Sequence, residues 1–155
     1  MKKEDKNLLL TGGLIIAGYF LVIRPLLQSL GLQKTEREKE KETDVNKEIR
    51  DQQRKERQTK TDAEWRVIAD NIYQSLRFSA IDDDKANAGY QVARVQNNVD
   101  FWLLYKFFGN RQEYAFGLPV GGKQDLASFI RGNLSKSAIA QINNNYRSKG
   151  IKFQY

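Results

Sequence analysis

The sequence predicts an all-α chain in three parts: an N-terminal transmembrane helix, a long charged connector, and a small five-helix C-terminal domain with a short extended tail. Three observations carry this. Residues 8–23 hold no charge, residues 33–60 hold 18 charged side chains in 28, and apolar residues between 61 and 150 recur three and four apart. The expected boundaries are 1–32 for the flank and anchor, 33–60 for the connector and 61–155 for the domain.

The anchor is carried by Leu8, Leu14, Ile15, Ile16, Phe20, Leu21, Val22 and Ile23. Sixteen helical residues cover about 24 Å, short of the roughly 30 Å hydrocarbon core, whereas continuing to Leu32 gives about 38 Å. Arg24 is the only charge in that longer stretch. Its stem can reach an interface, so it is expected at the headgroups, with Pro25 kinking the helix there. Ser29-Leu30-Gly31 could serve as a signal-peptidase site, but the mixed-charge start and the long uncharged run favour a retained anchor. Gly13 and Ala17 form a small-x-x-x-small pair through which a second anchor helix could approach. The Lys/Arg bias near the span ends places the C-terminal domain in the cytoplasm of a cellular membrane, or on the corresponding side of a membrane enclosed in a particle.

The connector carries ten basic and eight acidic residues, with Val45 and Ile49 its only aliphatics. It lacks the apolar surface for a core and is rich in helix formers, so it reads as a solvated spacer, about 42 Å long if helical. The interleaved carboxylates argue against a grip on nucleic acid.

In the domain, Thr61-Asp62-Ala63-Glu64 is a capping box, and Trp65, Ile68, Ala69, Ile72, Tyr73 and Leu76 form the apolar stripe of a first helix. After an acidic loop around residues 79–84, a weaker helix carries Tyr90, Val92, Ala93 and Val95. A third runs from Asp100 through Phe101, Leu104, Tyr105 and Phe108 to a stop at Gly109. Residues 117–122 are a glycine-rich loop; Leu126, Phe129 and Ile130 mark a fourth helix. Ser135 caps a fifth with Ile139, Ile142 and Tyr146. Ile151, Phe153 and Tyr155 alternate as an extended tail would.

The five helices resemble, in order and spacing, a single annexin-type repeat over residues 62–150. The resemblance implies a five-helix repeat, but residues 78–84 lack the glycines of the annexin calcium loop, so calcium binding is not carried over. The anchor, charged stalk and compact tail also resemble, in layout, the membrane proteins of icosahedral bacteriophages with an internal lipid bilayer, which implies a link between bilayer and shell.

Chemistry is narrowed sharply by composition. The chain has no histidine and no cysteine. That excludes Ser-His-Asp and Cys-His nucleophiles, disulfides, thiolate metal sites and an N-terminal lipid-bearing cysteine. Residues 117–123, GLPVGGK, match a phosphate-loop pattern except that Gln124 replaces the magnesium-binding Ser or Thr; a glycine-rich turn explains them better. Asp82, Asp83 and Asp84 lack the EF-hand spacing and read as an acidic helix start. Glu64 and Glu113, the domain's only glutamates, are the candidates a membrane-tethered cell-wall hydrolase would need.

No catalytic, cofactor or metal residue is therefore expected. The aromatics exceed what one core-facing stripe requires, and Trp102, Phe107, Phe108 and Phe116 are the expected partner-binding residues. The expected function is a non-enzymatic tether between a lipid bilayer and a protein layer, in a virion between internal membrane and capsid. The alternatives are a tethered peptidoglycan hydrolase and a cellular inner-membrane assembly factor.

Overall fold

The structure, a computed structural model, describes residues 35–77, 82–115 and 118–155. The anchor residues Leu8, Leu14, Ile15, Ile16, Phe20, Leu21, Val22, Ile23 and Arg24, the pair Gly13 and Ala17, and Phe116 lie outside the described residues. Among the described residues no helix is long and apolar enough to cross a membrane.

The order of elements is α1 (Glu36–Gln53), α2 (Asp62–Leu76), α3 (Asp82–Ala93), α4 (Asn98–Phe108), β1 (Arg111–Ala115), β2 (Leu118–Gln124), α5 (Leu126–Asn133) and α6 (Lys136–Ser148). The chain is mostly helical, but the all-α expectation needs one correction. Residues expected as a loop form β1 and β2, an antiparallel pair with Glu113 opposite Val120 and Ala115 opposite Leu118. Every described β2 residue up to Lys123 is exposed, so there is no buried face to impose the period-two pattern that marks a strand in sequence.

α2 organises the core. Its stripe of Trp65, Ile68, Ala69, Ile72 and Leu76 is buried, and the helix packs on α3, α4 and α5. Thr61 and Glu64 form the expected capping box: the Thr61 N–H donates to Glu64 Oε2 at 2.8 Å and the Glu64 N–H to Thr61 Oγ1 at 3.3 Å. α3 begins at Asp82, inside the stretch expected as a loop, which fits the acidic helix start. Ala88 and Val92 face the core, whereas Tyr90 points outward. Asn97 caps α4 by accepting from the Asp100 N–H at 2.9 Å. Gly109 closes α4 at φ +62°, a conformation glycine adopts without a Cβ penalty. Asp125 and Ser135 cap α5 and α6.

The largest correction concerns the connector. A compact unit runs Asp44–Tyr155, so the second half of residues 33–60 belongs to the domain. α1 is itself capped, with the Thr35 N–H donating to Glu38 Oε2 at 2.7 Å and the Glu38 N–H to Thr35 Oγ1 at 3.2 Å. Val45 and Ile49, four apart and so on one helical face, are buried in the core cluster. Each burial is worth about 2 kcal/mol. Two aliphatics at helical spacing suffice to dock a helix whose other faces are charged.

The tail is not a strand, but it packs as expected. Ile151 is buried, and Phe153 stacks on Phe101 with ring centroids 4.1 Å apart. Asn143 fixes the end, donating to Tyr155 O at 3.0 Å and accepting from the Tyr155 N–H at 2.8 Å.

Candidate functional site

The densest polar chemistry in the described structure lies at the N-terminal end of α4. Asp100, expected only as an acidic first-turn residue, is completely buried at 0 % exposure. Its Oδ1 accepts from the Thr59 N–H at 2.9 Å, and its Oδ2 from Thr59 Oγ1 at 2.6 Å and the Gln96 N–H at 3.2 Å. A buried carboxylate left without such donors would be strongly destabilising. Here the helix N-terminus adds favourable field.

The neighbouring residues repeat the pattern. Asn98 donates its backbone N–H to Glu56 Oε2 at 2.9 Å and its Nδ2 to Glu56 Oε1 at 3.1 Å, while its Oδ1 accepts from the Lys152 N–H at 2.9 Å. Asn97 Nδ2 donates to Arg57 O at 2.8 Å. Residues 56–59, 96–100 and the tail thus meet in one clamp. Beside it, the Lys149 ammonium donates to Ala93 O and Val95 O, both at 2.8 Å, closing the C-terminal end of α3. Desolvation draws the Lys149 pKa down, and the Asp100 charge opposes that shift.

Three phenols back this region. Burial pushes Tyr146 well above the ordinary phenol value, and its hydroxyl donates to Val92 O at 3.1 Å. Burial also raises Tyr155. Tyr105 is raised by burial and by a hydrogen bond to the Asp125 carboxylate.

At the opposite end of α4 lies the hairpin. The Tyr73 hydroxyl donates to Gln112 O at 2.7 Å. Arg111 Nη2 reaches Asp70 Oδ1 at 2.7 Å and its Nε donates to Phe108 O at 2.9 Å. The Arg111 guanidinium also lies 4.9 Å from the Phe108 ring centroid and 5.1 Å from that of Tyr73. These contacts fix the hairpin's base, while Tyr114 and Val120 are exposed and Leu118 reaches 70 % exposure.

The expected partner-binding aromatics therefore divide. Phe108 is buried among α4 and α5, its ring 5.4 Å from Phe129, and has no free face. Trp102 and Phe107 pack on the core with part of each ring uncovered. Phe116 lies outside the described residues; Tyr114 of β1 and Leu118 of β2 are exposed. Sequence spacing missed Leu118 and Val120 because they flank Pro119 among glycines rather than lying on a helix.

The other candidates resolve simply. β2 is an exposed strand of an antiparallel pair rather than the buried parallel strand of a phosphate loop. Glu64 is held below the usual carboxylate range by its backbone and side-chain hydrogen bonds from Thr61. That is the opposite of what a general acid requires. Glu113 stands in β1 opposite Val120. Among the described residues no three His, Cys, Asp or Glu side chains gather as metal ligands. A groove of about 850 Å³ runs between α3 and α6, with Lys85 its one charged lining residue. It offers no acid–base pair.

Comparison with protein-family models, with curated proteins and with solved structures returns no match to this chain.

Proposed function

We propose that this chain is a non-enzymatic, single-pass membrane protein that ties a lipid bilayer to a protein layer, as a minor virion component joining an internal membrane to its capsid. One observation carries the reading: the segment from Asp44 to Thr61 is built into the domain, by Val45 and Ile49 in the core and then by the clamp at Glu56, Arg57, Thr59, Asn97, Asn98 and Asp100, rather than left as a loose linker. A tether must pass force from its anchor into its folded body. Polar contacts between residues about 40 positions apart do this, because the segment cannot peel away without exposing a buried carboxylate.

The protein layer is met by the hairpin. Its exposed Tyr114, Leu118 and Val120 supply apolar and aromatic contact area of the kind found at interface centres. Trp102 and Phe107 add partly covered rings on α4. The non-enzymatic half of the reading is supported by Glu64, whose carboxyl is committed to capping α2.

The test is extraction of the full chain from its membrane in mild detergent, with a photo-crosslinking residue at Leu118. Crosslinking to a major shell protein is the expected result. A monomer without crosslinks contradicts the docking, and muropeptide release from peptidoglycan replaces the reading with a hydrolase.

A further inference from the structure

A second surface differs in chemistry from the hairpin. On α2 and α4, the Arg66 guanidinium lies 4.7 Å from the Phe107 ring centroid and the Lys106 ammonium lies 5.8 Å from the same centroid. Both cations are exposed. Among the described residues neither makes an ion pair with a carboxylate. On α2, Glu64, two positions from Arg66, is committed to the Thr61 cap, and of the two acids one turn away Asp70 is taken by Arg111 at 2.7 Å while Asp62 lies in the helix's first turn. Two like charges gathered on one ring without an ion-pair partner raise the local positive potential, which an incoming anion relieves.

The apolar neighbours define which anion. Val67, next to Arg66, is 58 % exposed. Trp102 stands one turn from Lys106 on the same face of α4, partly uncovered. Cations that can meet phosphate, beside a Trp, a Phe and a protruding aliphatic, make the side-chain set that settles at the headgroup level of a bilayer. Tether length favours the same partner. Between the end of the stretch 8–32 and the compact unit beginning at Asp44 stand residues 33–43 alone, so an anchored domain meets its own bilayer at high effective concentration.

We infer that Arg66, Lys106, Phe107, Trp102 and Val67 form a contact surface for an anionic bilayer, the one in which the chain is anchored. This rests on the proposed anchor. It gives the domain two working faces, with basic and aromatic groups toward lipid headgroups and the apolar hairpin toward protein.

The absence of native cysteine makes a single introduced thiol unique. Full-length V67C carrying an environment-sensitive fluorophore is reconstituted into phosphatidylcholine vesicles and into vesicles containing about 30 % phosphatidylglycerol. A blue shift in the anionic vesicles alone, reversed by high salt, is expected. In the R66E/K106E background the ratio of docked to free probe falls by about 25-fold or more, with near-ultraviolet circular dichroism unchanged. Equal emission in the two vesicle types, a shift that salt does not touch, or a response to polyglutamate without one to anionic vesicles overturns the proposal. The salt arm needs no variant and so does not depend on how the double substitution folds. Flotation with phosphatidylcholine vesicles at alkaline pH reads the anchor separately: a chain that fails to float there yet docks on anionic vesicles keeps the patch and loses the anchor.

Discussion

The two ends of α4 solve opposite problems. At its N-terminal end, groups about 40 to 55 positions apart in sequence converge in a polar clamp where Asp100 is fully buried and accepts three hydrogen bonds. At its C-terminal end a two-stranded hairpin is fixed at its base by Arg111 and Tyr73 and otherwise faces solvent. A two-stranded sheet is marginal on its own, so the hairpin persists because α2 and α4 hold it. The clamp side chains of Glu56, Thr59, Asn97, Asn98 and Asp100 are hydrogen-bonded within it. The hairpin keeps apolar groups exposed and is stabilised by them very little. Rigidity and exposed apolar surface are therefore separated along one eleven-residue helix.

Alkali is the strongest way to break the clamp side, because three phenols, Tyr146 fully buried and Tyr105 and Tyr155 partly so, respond together. Tyr105, Tyr146 and Tyr155 all have folded pKa values raised above the ordinary value, chiefly by burial. The stability they contribute is fully present below about pH 10, the unfolded phenol value, and is lost as pH rises through the folded values. Lys149, lowered by desolvation, works in the opposite sense and at lower pH, its contribution being complete once pH passes the ordinary lysine value, so it does not cancel the loss from the phenols above that point. Thermal melts should fall steeply above pH 10, with tyrosinate absorbance from these residues appearing together with unfolding rather than before it.

Asp100→Ala comes next. It strands the Thr59 N–H, the Thr59 hydroxyl and the Gln96 N–H, and should cost about 3 kcal/mol in urea unfolding. A loss within the range of an ordinary surface change would remove the clamp from the account. Ile49→Ala follows at about 2 kcal/mol, since Ile49 is a core residue. A solvated spacer would show a change of no more than about 0.5 kcal/mol. The smallest effect belongs to the hairpin: Val120→Ser should leave stability within about 0.5 kcal/mol while crosslinking from position 118 to the proposed shell protein drops.

The same contrast explains what the sequence made legible. Local signals were plain: the Thr61–Glu64 capping box, the α2 stripe and the Gly109 stop are written within a few positions of one another. The clamp was not, because Glu56, Thr59, Asn98 and Asp100 are ordinary polar residues whose meaning lies in partners 41 or 42 positions away. Val45 and Ile49 carried the missed hint that the connector docks; two aliphatics in a highly charged run look negligible until they are seen to share one face. The hairpin escaped for the converse reason, since a strand exposed on both faces leaves no alternation to read. Phe108 was misassigned because adjacent aromatics at 107 and 108 point to different sides of α4, and only packing against Phe129 decides which one is core.

Amide hydrogen exchange at Thr59 and Asn98 tests the central claim, that the segment before Thr61 is locked into the folded body through the end of α4. Their N–H groups donate to Asp100 and Glu56. The clamp predicts exchange on the order of 1,000-fold slower than in unstructured peptide, matching the interior of α4. Exchange at the unstructured rate at both amides, with α4 still protected, would contradict it.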